Sequence, residues 1–393
     1  MRVLMFYEAL VPYRVDLFNA LAARCEFRVV FLHSVDDSPI FSQPPLRAKL
    51  IADHAFLTGG LAVKHRVLRP GMHREIHRFS PDVVVTPEFS PTTLAVLARR
   101  ALPRERYYAH VVRTSDNPAT LAGDSWLRAA ARKVVLPHIN GLIVLSDRTA
   151  SSYRERYRLS APVGISPLLH NEVVFRAALA GASDDVRRII VTYNLLGKRV
   201  LLFVGRLSPE KQVDQLIRAF GEIHDGIPDA ILALVGNGAQ RSSLESLAAA
   251  CGIAGKTIFA GPKQGNELCA WYRVGAVLAL PSSQERFGAV VNEALLAGMP
   301  VVCSDRAGAS GLIREGETGV VIDPFDRQAL ARALRQWIRR APPLDPEAQE
   351  LLRPSLMAAT FSAAVDGFLN VAADAYAERV SGVHPRSPAG HPA

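Results

Sequence analysis

The sequence has few cysteines and no long apolar run, and each shortage argues against a class of protein. Its four cysteines form no CxxC pair and no zinc-ligand spacing, so we expect neither a disulfide framework nor a zinc site, and a reducing, cytoplasmic setting. No stretch reaches about 18 uninterrupted apolar residues, so no transmembrane helix is expected. The apolar run after Met1 meets Glu8 and is too short for a signal peptide.

Three functional motifs are also missing. The chain contains no Asp-x-Asp triplet, which is the carboxylate pair that would hold a divalent ion beneath a diphosphate, so we expect no metal and no other cofactor. No Gly-x-Gly-x-x-Gly follows the first apolar run, which weakens a nicotinamide-dependent reading. No recognisable nucleic-acid module occurs, and nucleic acid is not expected as a partner.

The positive charge is distributed unevenly. Residues 1–180 contain 24 Lys and Arg against 15 Asp and Glu, whereas the remainder contains 22 of each. The whole formal excess of +9 therefore lies in the first part of the chain. An anionic membrane surface or a phosphorylated acceptor fits this excess, and a basic surface without a special partner fits it equally well.

Strand-like apolar runs alternate with helical patterns along the whole chain, which predicts an α/β protein with parallel sheets. The length suggests two or three domains. We expect a first domain over 1–185 and a second over 195–358, with the break between about Ala177 and Gly197. Residues 36–63 are expected to form excursion loops, and a tail over 381–393, rich in Pro, Gly and Ser, is expected to be disordered.

Two segments carry candidate chemistry. Gly205–Lys211 follows the apolar run Val200–Val204, and ligands bind beyond the carboxyl ends of strands in open α/β sheets. Arg206 and Lys211 would there supply a guanidinium fork and a point charge for a diphosphate. Taken singly, each is more simply a solvated loop charge.

The second segment places two carboxylates, Glu285 and Glu293, on either side of a Phe-Gly step at a predicted helix start. A helix start offers unpaired N–H groups to a phosphate, and carboxylates beside it accept hydrogen bonds from sugar hydroxyls. Either Glu alone fits a plain interaction with the helix dipole. With the basic loop, the pair predicts a site for a nucleoside-diphosphate-sugar.

The C-terminal half resembles the family-four retaining glycosyltransferases of the GT-B fold. The matching segments read LLFVGRLSPEKQVDQLIRAF, ILALVGNGAQRSSLESLAAACGI, IFAGPKQGNELCAWYRVGAVLALPSSQERFGAVVNEALLAGMPVVCSD and GETGVVIDPFD. The resemblance implies two Rossmann-like doubly wound domains that face a central cleft, and a helix over 359–380 that returns to the first domain.

The resemblance also implies roles for individual residues. Arg206 and Lys211 would hold the donor diphosphate, Glu285 would touch the transferred sugar, and Glu293 would touch the ribose. The remaining donor-side candidates are Asn237, Gly238, Gly261, Phe287, Gly288, Ala289 and Val290.

The N-terminal half departs from the family pattern. Val11-Pro-Tyr-Arg14 stands where many relatives have a Gly-rich loop, so Tyr13 and Arg14 are acceptor-side candidates, although packing and solvation explain them almost as well. Ser115 and Asp116 occupy the loop in which many relatives carry a His. Asp116 is a candidate to orient the acceptor hydroxyl or contact the donor sugar, and it could equally cap the following turn. His110 is expected to be a packed core residue.

Together these features predict a retaining enzyme that moves a sugar from a UDP- or GDP-sugar to an acceptor hydroxyl. The acceptor would be a sugar, a lipid-linked molecule or a small metabolite, and the enzyme would be cytoplasmic, possibly peripheral on the inner face of the membrane. Three alternatives stay open: a GT-B relative that forms a C–N bond or epimerises a nucleotide sugar, a nucleotide-sugar-binding protein without chemistry, and a membrane-peripheral scaffold.

Overall fold

The computed structural model describes residues 1–33, 43–63, 66–102, 107–123, 125–345 and 352–381. The chain divides into two compact units. The first combines Met1–Leu168 with the chain from Ser362 onward, and the second is the continuous segment Leu169–Phe361. Most of the predicted tail, from residue 382, lies outside the described residues.

The first unit is built on a seven-stranded parallel sheet in the order β3-β2-β1-β6-β7-β8-β9, beside a small antiparallel pair, β4 and β5. Its strands are β1 (Arg2–Tyr7), β2 (Glu26–Phe31), β3 (Asp53–Phe56), β4 (Leu61–Val63), β5 (Arg66–Leu68), β6 (Val83–Pro87), β7 (Ala109–Arg113), β8 (Gly141–Val144) and β9 (Val163–Ile165). Its helices are α1 (Pro12–Ala22), α2 (Gln43–Lys49), α3 (Gly71–Phe79), α4 (Pro91–Arg100), α5 (Pro118–Ala122), α6 (Trp126–Val135), α7 (Asp147–Tyr157) and, at the end of the chain, α15 (Phe361–Val380).

The second unit is built on a six-stranded parallel sheet in the order β12-β11-β10-β13-β14-β15. Its strands are β10 (Arg199–Val204), β11 (Ala230–Val235), β12 (Thr257–Gly261), β13 (Gly275–Leu280), β14 (Val301–Ser304) and β15 (Gly319–Ile322). Its helices are α8 (Glu172–Ala180), α9 (Ser183–Tyr193), α10 (Val213–Gly221), α11 (Arg241–Ala250), α12 (Gly265–Val274), α13 (Ala289–Leu296) and α14 (Arg327–Arg340).

Both sheets reverse their direction of winding at one place. In the first unit the chain order reverses between the neighbours β1 and β6, and in the second between β10 and β13. Loops leaving such neighbours separate to opposite faces and open a crevice at the carboxyl edge, where ligands bind in doubly wound sheets. The predicted α/β class and doubly wound parallel sheets are confirmed.

The cores follow from the strand sequences. Central strands such as β10 and β13 are buried on both faces and read as nearly continuous apolar runs. In the second unit α10 and α14 bury apolar stripes against this sheet, including Leu216, Phe220 and Leu334. The two helices thereby close one face of the sheet beneath the loops described below.

Two glycines let α15 lie directly on the edge strand β9. A Cβ added at Gly164 would lie 2.2 Å from the carbonyl oxygen of Gly367, and one added at Gly367 would lie 2.0 Å from that of Ile165. Neither site can therefore carry a side chain without moving backbone. The last helix, which the family resemblance assigned to the first domain, is part of the first unit.

The structure differs from the sequence expectations in two places. The units divide after Leu168 rather than between Ala177 and Gly197, because α8 and α9 pack on α12 of the second unit. Within the predicted excursion loops, residues 43–49 form α2 and residues 53–56 form β3, which pairs in parallel with β2.

Candidate functional site

The reversal point of the second sheet brings the two candidate segments together. Lys211 follows β10 and Glu285 follows β13, and the Lys211 ammonium donates a hydrogen bond to Glu285 Oε2. Both side chains are largely buried, with 13% and 16% of their surface exposed. The sequence predicted these residues for one site, and the structure places them in direct contact.

Local backbone geometry holds this pair. Pro209–Lys211 forms a single 3₁₀ turn, and Gln212 then adopts the left-handed conformation at φ 51° before α10 begins. The backbone N–H of Ser283 donates to the carbonyl oxygen of Glu210 at 2.9 Å, and the Ser283 hydroxyl donates to the same oxygen at 3.3 Å. The loops after β10 and β13 are thus joined immediately beside the ion pair.

Arg206 behaves differently from Lys211. Its side chain is 73% exposed and donates to Glu210 Oε1 at 3.2 Å, while the Ser208 hydroxyl donates to the same oxygen at 2.7 Å. Because an exposed pair of this kind is weak, the guanidinium is available to turn toward a ligand. Its role in binding a diphosphate stays a prediction.

The loops after β11 and β12 continue the same edge. Leu207 N–H donates to the Asn237 carbonyl at 3.0 Å, and Gly236 N–H donates to the Gly261 carbonyl at 2.9 Å. A Cβ added at Gly238 would lie 2.2 Å from the Leu207 carbonyl oxygen, so only glycine fits there. The candidates Asn237, Gly238 and Gly261 are therefore fixed by backbone contacts in the loops beside the one that carries Arg206 and Lys211.

The start of α13 lies directly after Glu285. Gly288 precedes the helix at φ 91°, and a Cβ there would lie 2.8 Å from Leu280 Cδ2. Phe287 is buried, and its carbonyl accepts a hydrogen bond from Ala309 N–H at 2.7 Å. Ala289 and Val290 occupy the first helical turn, where N–H groups have no partner within the helix and favour an anion.

Glu293 is held by two side chains that the sequence did not indicate. His170 Nε2 lies 2.9 Å from Glu293 Oε1, and the Tyr272 hydroxyl donates to Oε2. Burial raises the pKa of this carboxyl, but the hydrogen bonds from His170 and Tyr272 outweigh it, so its pKa is lowered. The role of Glu293 toward a ribose stays a prediction.

Asp116 belongs to a buried network in the first unit. Its Oδ2 accepts hydrogen bonds from Arg132 at 2.7 Å and from the Tyr153 hydroxyl at 2.5 Å, and the Thr114 hydroxyl, whose single proton points to Glu88, lies 2.8 Å from it. This is the contact pattern of a structural carboxylate that fixes the loop after β7. The suggested role toward an acceptor hydroxyl has no further support from these contacts.

Ser115 binds a residue that the sequence analysis missed. Its N–H donates to Glu88 Oε1 at 3.0 Å, its hydroxyl donates to the same oxygen, and Thr114 donates to Glu88 Oε2 at 2.9 Å. Glu88 follows β6 directly and has φ 55°. A polar residue immediately beyond a buried strand was the signal that could have identified it.

Tyr13 and Arg14 lie in the first turn of α1, beyond the carboxyl end of β1. Burial, helped by the charge of Tyr7, raises the pKa of Tyr13 to about 12, so its hydroxyl keeps its proton. Arg14 is buried, and its Nε donates to the Tyr7 hydroxyl at 3.2 Å. Arg113, the last residue of β7, lies over the same Tyr7 ring at 5.2 Å and was also missed.

A cavity of about 330 Å³ opens at the other edge of the second sheet. Its lining includes Lys198, Gly275 and Pro300, which lie at the amino ends of β10, β13 and β14. None of the predicted donor-side residues lines it, so this cavity is separate from the candidate site.

Residues 188–350 match the family model described as "Glycosyl transferases group 1". This segment is a group 1 glycosyl transferase domain. The match confirms the resemblance carried by the motifs of the second unit, and the described donor-side residues all lie within it.

Curated relatives support the same family. The chain is 36% identical over 193 residues to a D-inositol 3-phosphate glycosyltransferase of Acidothermus cellulolyticus. The alignment covers 46% of this chain and 42% of that protein. It is 30% identical over 243 residues to a GDP-mannose-dependent alpha-(1-6)-phosphatidylinositol monomannoside mannosyltransferase of Mycolicibacterium smegmatis. That alignment covers 55% of this chain and 64% of the mannosyltransferase. The chain thus spans less than two thirds of the length of these relatives.

Solved structures extend the likeness to both units. A sucrose-phosphate synthase from Thermosynechococcus elongatus gives a TM-score of 0.64 at 18% identity over 98% of both chains. Anabaena Alr3699/HepE in complex with UDP gives 0.66 at 16% identity over 98% of this chain and 100% of that one. At such identities the likeness shows the fold, and it confirms the predicted GT-B class.

Proposed function

We propose that the protein is a glycosyltransferase that moves a sugar from a UDP- or GDP-sugar to an acceptor hydroxyl with retention of configuration. The observation that carries the proposal is the contact between Lys211 and Glu285 at the reversal point of a group 1 glycosyl transferase domain. A cation for the leaving phosphate and a carboxylate for the sugar hydroxyls lie side by side there. Relatives named as inositol phosphate and mannosyl transferases support the same class.

The residues divide the work of the donor site between them. Lys211, Arg206 and the N–H groups at the start of α13 take up negative charge that develops on the departing diphosphate. Glu285 orients the sugar and Glu293 accepts from ribose hydroxyls. The bond between the anomeric carbon and the phosphate oxygen breaks, and the acceptor oxygen bonds to that carbon on the same face. The acceptor proton passes to the departing phosphate oxygen.

We propose that this chemistry needs no metal. The chain lacks an Asp-x-Asp triplet, and two side-chain cations with a helix start can neutralise a diphosphate. Transfer should therefore persist in excess EDTA. Complete loss of transfer in EDTA, restored by manganese or magnesium, would contradict the metal-free mechanism.

A nucleotide-sugar screen tests the proposal. UDP, GDP and their common sugars would be scanned for a rise in melting temperature, because a ligand at 100 times its Kd stabilises by about 2.7 kcal/mol. Stabilising donors would then be incubated with acceptors, and the products analysed for a new glycosidic bond and its anomeric configuration. An epimerised donor would indicate an epimerase instead, and a C–N-linked product would indicate a relative that forms C–N bonds. Binding without turnover would indicate a nucleotide-sugar-binding protein.

We also propose that the first unit binds anionic membrane surfaces reversibly. No helix among the described residues is long and apolar enough to cross a membrane. Helix α6, however, exposes Trp126 (76%), Leu127 and Val134 next to the exposed cations Arg128 and Lys133. Exposed apolar groups together with Lys and Arg are the composition of helices that lie in a membrane interface.

Vesicle co-sedimentation tests this surface. The protein should bind vesicles that contain phosphatidylserine at low salt and release at high salt, and Trp126→Ser should weaken binding several-fold. Val173→Ser, which removes another exposed apolar side chain but from α8 of the second unit, is the matched control. Absence of binding at low salt would favour a soluble acceptor over a lipid-linked one.

A further inference from the structure

Two guanidinium groups are buried at the carboxyl edge of the first sheet. Arg14 is 1% exposed and Arg113 is 4% exposed. Both lie against Tyr7, the last residue of β1, with guanidinium carbons 6.0 and 5.2 Å from its ring centroid. Arg14 follows β1 and Arg113 ends β7, so the pair flanks the point where this sheet reverses its winding.

Neither guanidinium forms an ion pair with a described residue. Arg14 donates to the Tyr7 hydroxyl, and its Nη2 is buried without any hydrogen-bond partner among the described residues. Burial, together with the positive charge of Arg113, lowers the pKa of Arg14 to about 10. A buried charge and a buried unmatched donor are both costly, so Arg14 calls for a further hydrogen-bond acceptor.

The carboxylates near this pair are engaged elsewhere or act at a distance. Glu88 accepts three hydrogen bonds from the backbone and hydroxyl of Ser115 and the hydroxyl of Thr114. Burial lowers the pKa of Arg113, but the charges of Tyr7, Glu8 and Glu88 outweigh it and keep the group protonated. Two permanent cations therefore remain within the fold without a carboxylate in contact.

We propose that Arg14 and Arg113 bind an oxoanion, a phosphate or carboxylate group, that belongs to the acceptor. The proposal rests on the proposed function, since it names the class of acceptor for that reaction. Planar guanidinium forks match the two oxygens of such a group, and a buried site strengthens each hydrogen bond. An acidic acceptor would complete the site by supplying the partner that Arg14 Nη2 lacks.

Thermal unfolding with simple anions tests the site directly. Inorganic phosphate and acetate would be compared with chloride at matched ionic strength, on the wild-type protein and on Arg14→Met and Arg113→Met. We expect one of the two oxoanions, at ten times its Kd, to raise the melting temperature by about 3 to 6 °C. Each Met variant should lose that rise, and the stronger anion identifies phosphate or carboxylate as the acidic group.

Two further variants locate the effect. Arg154→Met removes an exposed arginine from α7 and should keep the full response to the anion. Lys211→Ala should also keep it, because a response that depended on Lys211 would mean that the anion binds the donor site. If Arg14→Met does not fold, Arg14→Lys, which keeps the charge but loses the fork, should weaken the response at least tenfold in apparent Kd.

The outcomes separate this proposal from the proposed function. No response of the wild-type protein to either anion, or a response unchanged in both Met variants, would overturn the anion site. A response that needs Arg14, in a protein that no nucleotide or nucleotide sugar stabilises, would keep the anion site and remove the glycosyltransferase assignment. Stabilisation by a nucleotide should persist in Arg14→Met, since the donor residues lie in the other unit.

Discussion

The two reversal points of the molecule hold charge in opposite ways. In the second unit a lysine after β10 is met by a carboxylate after β13, so the cation has a partner before any ligand arrives. In the first unit two arginines lie beside one tyrosine and no described carboxylate touches either of them. The cation of the second unit is therefore neutralised by a carboxylate of the protein, and the two cations of the first unit are not neutralised by any described one.

This difference teaches how each site responds to a ligand. A donor diphosphate entering the second unit must share Lys211 with Glu285, so ligand binding replaces one partner by another. An anion entering the first unit meets two guanidinium groups that no described carboxylate contacts, with only the Tyr7 hydroxyl accepting from Arg14 Nε. The ion pair in the second unit stabilises the protein without a ligand. The two arginines of the first unit have no such partner among the described residues, so an anion that binds them should add more to the stability of the protein.

The largest effect expected from breaking this contrast is on catalysis. Lys211→Ala removes the cation at the point where leaving-group charge develops, and loss of one such group typically lowers the rate by about 10²- to 10³-fold. We expect that loss in kcat/KM with the best donor of the screen. Lys256→Ala, at the amino end of β12, is the matched control and should retain wild-type turnover. Near-normal turnover of the Lys211 variant would remove this residue from the site.

A second test compares the two sites without any ligand. Lys211→Met breaks a largely buried ion pair and should lower the free energy of unfolding by about 1 to 3 kcal/mol. Arg14→Met removes a buried charge that has a hydroxyl but no described carboxylate in contact, so it should not lower that free energy and is expected to raise it by up to about 1 kcal/mol. Urea unfolding of both variants measures the contrast, and a loss of equal size in both would erase it.

The smallest expected effect is a pH dependence of stability that arises from one histidine of the first unit. His110 on β7 is fully buried, with Nε2 2.8 Å from the Thr86 hydroxyl and Nδ1 without a partner among the described residues. Burial, and to a lesser extent the charge of Arg100, lowers its pKa to about 3. The folded chain stays neutral there while the unfolded chain takes up a proton below about pH 6.5, so stability falls as the pH drops toward 3.

Between pH 6 and pH 5 this histidine should cost about 1 kcal/mol of stability. His110→Gln should flatten that part of the pH dependence, whatever it does to stability at pH 7. Urea unfolding of the wild type and the variant at both pH values measures the difference. Equal slopes in the two proteins would show that His110 does not set the acid sensitivity of the first unit.

Much of the fold was predictable because buried parallel strands carry strong local patterns. The apolar run Val200–Val204, for example, was recognised from the sequence and makes up all of β10 except its first residue. Among the strands that were missed, β3 and β9 are short edge strands: Asp53-His-Ala-Phe is only half buried, and Val163–Ile165 contains a glycine. Their pairing depends on neighbours distant in sequence, which no local period reveals.

The candidate site shows the same difference between what local sequence patterns reveal and what depends on residues distant in sequence. Lys211 and Glu285 were predicted together because loops at one sheet edge must converge. The partners of Glu293 were not, since His170 is 123 positions away from it and only packing brings the two together. Arg113 was missed because it follows an apolar run and looks like the end of a strand. Its importance comes from the lack of a described carboxylate in contact with it, which the sequence cannot show.

The glycine contact between β9 and α15 has a consequence for synthesis of the chain. The second unit is one continuous segment and is complete once Phe361 has emerged from the ribosome. The first unit begins to emerge earlier, but its edge strand must wait for Gly367 before it can be covered. Domains generally complete from the N-terminus onward during translation, and this chain reverses that order. During translation, chaperones would therefore encounter an uncovered face of β9 for as long as the ribosome is making the glycosyl transferase domain.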